Sequence, residues 1–193
     1  MRVGVVIVMK ITSDRKFPKA KSSSFTLVEL LVVISIIGLL AGLGLPAING
    51  AIKAGKKAEV AAMAESIKTA VNAFYAEYSA YPSNTAGKTD KTFLDLMSTT
   101  NTNGGNSRGI AFLEVPPKFT NGVATDGDLG LVTPKGYGKK MTNFFVLIDS
   151  NGLGYVNPSQ SSGTSVTNQN VASSVAVWAD DPTTKGKAVG TFK

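Results

Sequence analysis

The sequence predicts an α+β chain in which one long N-terminal helix, apolar in its first half, precedes a small C-terminal antiparallel sheet. Three observations carry that expectation. Phe25 to Ile48 is a run of 24 residues with a single charge, Glu29. Val60, Met63, Ile67, Val71, Phe74 and Tyr78 then step by three or four, which places them on one helical face. Late in the chain, Phe144–Ile148, Gly154–Val156 and Val171–Trp178 are rich in β-branched and aromatic residues and separated by turn residues, the pattern of short strands.

The elements follow in chain order. Residues 1–24 open with a short apolar run, Val3–Met9, and then turn basic. Seven apolar residues are too few to span a bilayer. Translation from Met9 would give a short, hydrophilic, basic leader of sixteen residues, so residues 1–24 read as a leader with Met9 as its expected true start. Residues 25–48 are long enough, at about 1.5 Å per residue, to cross a hydrocarbon core of roughly 30 Å. Basic residues gather before this span, which by the positive-inside tendency holds the N-terminus in the cytoplasm; Lys53, Lys56 and Lys57 on the far side weaken that bias without reversing it. Residues 49–82 form the amphipathic second half of the helix, ended by Tyr81-Pro82-Ser83-Asn84. Gly42, Gly44 and Pro46 lie inside the helix and are expected to kink or locally melt it. Residues 83–193 form the globular region. It holds a short helix near Phe93–Met97, a hairpin turned by Asp149-Ser150-Asn151-Gly152, and a Ser/Gly/Thr/Asn-rich exposed loop before Val171.

Composition narrows the chemistry. The chain has no cysteine and no histidine, which removes disulfides, thiolate metal sites and the commonest general base. With no convergent carboxylate motif either, no catalytic residue is expected. Of the net charge of +7, five units belong to residues 1–24, which hold six of the twenty basic residues and one of the thirteen acidic ones. Phe25 onward carries only +2, so direct nucleic-acid binding loses its main support.

The run Ser24-Phe25-Thr26-Leu27-Val28-Glu29-Leu30-Leu31-Val32-Val33-Ile34 resembles the cleavage and methylation motif of type IV prepilins and of type II secretion pseudopilins. The likeness continues through Gly38, Pro46 and the amphipathic helix to Tyr81-Pro82. It implies a pilin-like fold and a set of roles. A prepilin peptidase cuts between Ser24 and Phe25 and methylates the new Phe25 amine. Ser24 stands where the family almost always has glycine. An ionised carboxylate among Leu, Val and Ile is costly in a membrane and calls for a partner. The resemblance supplies one for Glu29: the amine of Phe25 in a neighbouring subunit, a pairing that sets the stagger of subunits in the filament. Taken alone, Glu29 would read as an interfacial residue reaching headgroups. Gly38, Gly42, Gly44 and Pro46 read either as close helix packing or, by the resemblance, as a kinked segment that extends when helices bundle.

The remaining signals are weaker. Asp149–Gly154 resembles the opening of a calcium loop but lacks a third carboxylate and a closing glutamate, so it reads as a turn. The likeness to major pseudopilins makes Asp180 and Asp181 the candidate calcium ligands, against a plain reading as a solvated turn before Pro182. Asp126 and Asp128 form a further loop pair, Trp178 reads as core, and Lys135, Lys139 and Lys140 read as a solvated loop. The expectation is therefore a structural filament subunit and not an enzyme: a pseudopilin of a type II secretion system, favoured over a major or minor type IV pilin of adhesion, motility or DNA uptake by the absence of cysteine. A membrane-anchored periplasmic binding module is the remote alternative. The expected partners are further pilin-like subunits in a homopolymer, the prepilin peptidase, an inner-membrane assembly platform and the membrane itself. The expected location is the inner membrane, with the C-terminal region periplasmic and the assembled filament periplasmic or at the cell surface.

Overall fold

The computed structural model describes residues 25–83, 87–98, 105–120, 130–167 and 169–192. The chain divides into two compact units, one ending at Leu45 and one beginning at Pro46. Helix α1, Leu27–Tyr78, contributes to both. It begins two residues after the expected start at Phe25 and ends four residues before the expected limit of 82. Ser79 closes it in a left-handed conformation (φ 53°), its N–H donating to Tyr75 O at 2.7 Å.

In the first unit every apolar side chain of α1 from Leu27 to Leu45 faces outward, and the segment buries nothing. Among the described residues α1 is the one helix long and apolar enough to cross a membrane. The only hydroxyl from Leu27 to Leu45, that of Ser35, donates to Leu31 O at 2.8 Å, so this polar group is satisfied within the helix. The helix runs through Gly42, Gly44 and Pro46, and the expected local melting is not present in the isolated subunit.

The second unit has a core. The predicted stripe holds: Val60, Met63, Ile67, Val71 and Phe74 of α1 are buried, joined by Ala64 and Ala70. Helix α2, Lys91–Ser98, adds Phe93, Leu96 and Met97, and its first turn is capped by Asp90, whose Oδ1 accepts from Phe93 N at 2.8 Å. Strands β1 (Phe145–Ile148), β2 (Val175–Asp180) and β3 (Ala188–Gly190) form an antiparallel sheet in the order β1-β2-β3. Phe145 pairs with Trp178, and Trp178 with Gly190. The fold is thus the α+β, pilin-like arrangement of a long helix and a small antiparallel sheet.

Both faces of the sheet are covered. Val146, Val175, Val177 and Ala179 face the helices. Phe145, Ala176, Trp178 and Ala188 face the other way, into a second cluster closed by Val156 and Val166. Here two expectations change. The segment before Val171 is not simply an exposed loop: Val166 is buried, and Thr164 Oγ1 accepts from Trp178 Nε1 at 3.1 Å. A strand reading Val-Ala-Val-Trp-Ala must bury both faces, and this segment covers the second one.

The predicted hairpin does not form either. The Asp149 carboxylate accepts from Leu153 N at 3.0 Å and Gly154 N at 2.7 Å, and Gly152 and Gly154 take positive φ values of 69° and 77°. The chain therefore turns away from β1, and Val156 bridges Val171 instead. Gly190 is required by close approach: a Cβ there would clash with Val177 O and lie 2.7 Å from Trp178 Cα.

Candidate assembly site at the start of the helix

Phe25 and Thr26 precede the first helical turn. Thr26 caps it: Thr26 Oγ1 accepts from Glu29 N at 3.2 Å, and Glu29 Oε2 accepts from Thr26 N at 2.8 Å. The Thr26 hydroxyl also donates to Glu29 Oε2 at 2.8 Å. This is a reciprocal capping box, Thr-x-x-Glu. It gives the Glu29 carboxylate a local hydrogen-bonded position three residues after Thr26, on an exposed turn beside Phe25, which is 77% exposed. Sequence reasoning missed the box, although the Thr26–Glu29 spacing was there to be read. Ser24 lies outside the described residues. A Cβ at Gly38, Gly42 or Gly44 would touch nothing within 4 Å, so these glycines have no packing partner among the described residues.

The structure does not draw Asp180 and Asp181 into a common site. Asp180 Oδ1 accepts from Thr164 Oγ1 at 2.8 Å and Oδ2 from Ser165 N at 2.7 Å. Asp181 Oδ1 accepts from Thr183 N at 2.8 Å, and Oδ2 from Lys57 Nζ at 2.9 Å. Every carboxylate oxygen already meets a protein donor, one of them an ammonium. Among the described residues no third acidic side chain joins them. Among the described residues they do not assemble the six or more oxygen ligands that a calcium ion needs. They fit an interlock between α1 and the chain after β2. Burial opposes ionisation of Asp181, but the hydrogen bonds from Lys57 and Thr183 outweigh it and hold the carboxyl below its usual range. Burial, and then the charges of Asp181 and Asp180, push the nearby Tyr137 hydroxyl up. Asp126 and Asp128 lie outside the described residues.

Residues 19–45 match the family model of the prokaryotic N-terminal methylation motif. The site built by Phe25, Thr26 and Glu29 falls inside that match. The chain is type IV pilin-like. A fimbrial protein of Neisseria meningitidis is 40% identical over 60 residues, 31% of this chain and 35% of that protein. A type IV major pilin protein, PilE1, of Neisseria gonorrhoeae is 38% identical over 60 residues. A PilE major pilin of the same species is 31% identical over 101 residues, 52% of this chain and 53% of its own length. This pilin-like chain spans about a third of the length of the first of these relatives. No solved structure matches it.

Proposed function

We propose that the chain is a filament subunit, cut between Ser24 and Phe25, in which the Glu29 carboxylate of one subunit pairs with the methylated Phe25 amine of its neighbour. The observation that carries this reading is the capped, exposed Glu29 beside Phe25, at the head of an apolar helical segment, Leu27–Leu45, with no side chain buried among the described residues. An apolar segment of this kind needs a lipid or protein partner over its length, and a bundle of like helices supplies one outside the membrane. Residues 25–48 then serve first as membrane anchor and later as filament core, and residues 49–193 as the soluble part. Gly38, Gly42, Gly44 and Pro46 serve close packing of neighbouring helices or extension at Pro46. The prepilin peptidase and an inner-membrane platform are the implied partners, and no enzymatic activity is proposed. Mass spectrometry of the mature N-terminus tests processing: N-methyl-Phe25 is expected, and an uncut chain would remove the assembly mechanism.

Between the two filament classes, relatives named as fimbrial proteins and major pilins favour a type IV pilin. The second reading, a type II secretion pseudopilin, is favoured by the absence of cysteine. Gene neighbourhood separates them: a retraction ATPase for the first, a secretin and secretion ATPase for the second.

A further inference from the structure

Three lysine groups far apart in sequence meet in the second unit. Lys56 and Lys57 follow Lys53 on α1 by three and four residues, spacings that keep side chains on neighbouring parts of one face. Lys56 Nζ donates to Lys135 O at 3.2 Å, and a side chain on Gly136 would collide with the same ammonium. This seats the loop carrying Lys135, Lys139 and Lys140 on the helix. Tyr137, buried, anchors the loop to the end of β2 by donating to Asp180 O at 3.1 Å. Gly138 lies against Pro182, its Cβ position 3.4 Å from that of the proline. Lys57 in turn holds Asp181 and Thr183, at 2.9 Å and 2.6 Å, fixing the start of the loop that carries Lys185 and Lys187.

Eight of the fourteen basic residues from Phe25 onward therefore share one region. Against them stand Asp180 and Asp181, for a local balance of +6 in a segment whose total is +2. The remainder carries −4. Lys53, Lys135, Lys139, Lys140, Lys185 and Lys187 are exposed and have no acidic partner among the described residues.

We infer that this lysine cluster is a docking surface for anionic lipid headgroups of the membrane that residues 25–48 cross. Lys53, Lys56 and Lys57 follow Ile48 by five to nine residues, about 8 to 14 Å along a helix. That is near the screening length of roughly 8 Å at physiological salt. A juxtamembrane lysine cluster is the arrangement that an anionic bilayer attracts. The group is all lysine, mobile point charges without the planar fork of arginine. No exposed aromatic side chain stands among these residues to stack the bases of a single strand, and the cluster follows directly on the span itself, so a lipid surface is favoured over nucleic acid. The surface would hold the soluble part against the bilayer before assembly and release it when the subunit is drawn out.

The inference rests on the membrane-anchor reading, and one experiment separates the two. Because the chain has no cysteine, Thr184→Cys on the exposed loop carries a single fluorophore in the full-length protein. The protein is reconstituted into vesicles of phosphatidylcholine alone, or of phosphatidylcholine with phosphatidylglycerol, each doped with a headgroup-labelled quenching lipid. About threefold stronger quenching is expected on the anionic vesicles, lost in high salt and in the combined Lys135→Glu, Lys139→Glu, Lys140→Glu, Lys185→Glu variant. The matching Lys→Gln set, checked by its melting curve, keeps the test valid if charge reversal disturbs folding. Equal quenching on both vesicles overturns the inference while leaving the anchor intact. Duplex DNA that shifts the fluorophore when lipid charge does not would overturn it in favour of nucleic acid. A chain stripped from both vesicles by alkaline carbonate defeats the anchor reading itself, and the inference falls with it.

Discussion

The two units of this chain are held in opposite ways. From Leu27 to Leu45 everything that fixes the structure is local: helical hydrogen bonds, the Thr26–Glu29 box and a back-bonded Ser35. No side chain there is buried among the described residues. From Val60 onward, α1 is defined by what it buries against α2 and the sheet. A helix without tertiary contacts is marginal in water, so the first unit depends on lipid or on other subunits. The second carries its own core.

Glu29→Ala should separate the units most sharply. Filament yield, read as the sheared or pelleted fraction, is expected to fall to background while the melting curve stays unchanged. Normal filaments from this variant would refute the proposed pairing, and a lowered melting temperature would break the separation of the two units. Trp178→Ala should do the reverse. Its ring stacks on Phe145 at 5.2 Å and meets Phe192 edge-on at 5.4 Å, and truncation should cost about 3–5 kcal/mol. Urea melts would show that loss, with carbonate-resistant membrane insertion intact.

A smaller effect, about 1–3 kcal/mol, is expected for Gly190→Ala, because the added methyl meets the β2 backbone. The Lys57–Asp181 bond should matter less still. Asp181 is nearly buried but Lys57 is about a third exposed, so solvent screening limits the pair to about 1 kcal/mol or less. Its sign is set by a folded-state pKa below the ordinary 3.8. The stabilisation is complete above the unfolded value and disappears as pH falls through the folded one. Wild type and Asp181→Asn should therefore differ in melting temperature at pH 6 and converge in strong acid. A constant gap would show that the pair is not the source. Thr26→Val, which removes one half of the capping box, should give the mildest change, about 1 kcal/mol at the helix start, seen as faster amide exchange there and nowhere in the sheet.

What could be read from the sequence follows the same division. The span from Phe25, the stripe from Val60 to Phe74 and the stop at Tyr81-Pro82 depend on neighbours three or four residues apart, and the structure reproduces them. The sheet depends on distant partners, and there legibility falls. Strand β1 and the core role of Trp178 were visible as apolar runs. Strand β3 was not, because Ala188-Val189-Gly190 has no strand signature and becomes a strand only by lying beside Trp178. The Asp149 turn was visible, but not that its carboxylate would bind Leu153 and Gly154 and deny β1 a hairpin partner. Asp180 and Asp181 looked like a pair because they are adjacent. Successive side chains on an extended chain point apart, and theirs reach Thr164 on one side and Lys57 on the other.

The sheet with two covered faces has a consequence for how such a chain can change over time. Trp178 and its neighbours pack the segment holding Val156, Val166 and Val171 into an apolar cluster distinct from the one that α1 joins. Substitutions at the exposed positions of that segment, such as Gln160 and Ser162, disturb neither cluster. The surface it presents can be rewritten, residue by residue, while the helix keeps the same neighbours within its own subunit. Lineages under pressure to alter what they display would therefore accumulate differences there long before any appear along the stripe from Val60 to Phe74.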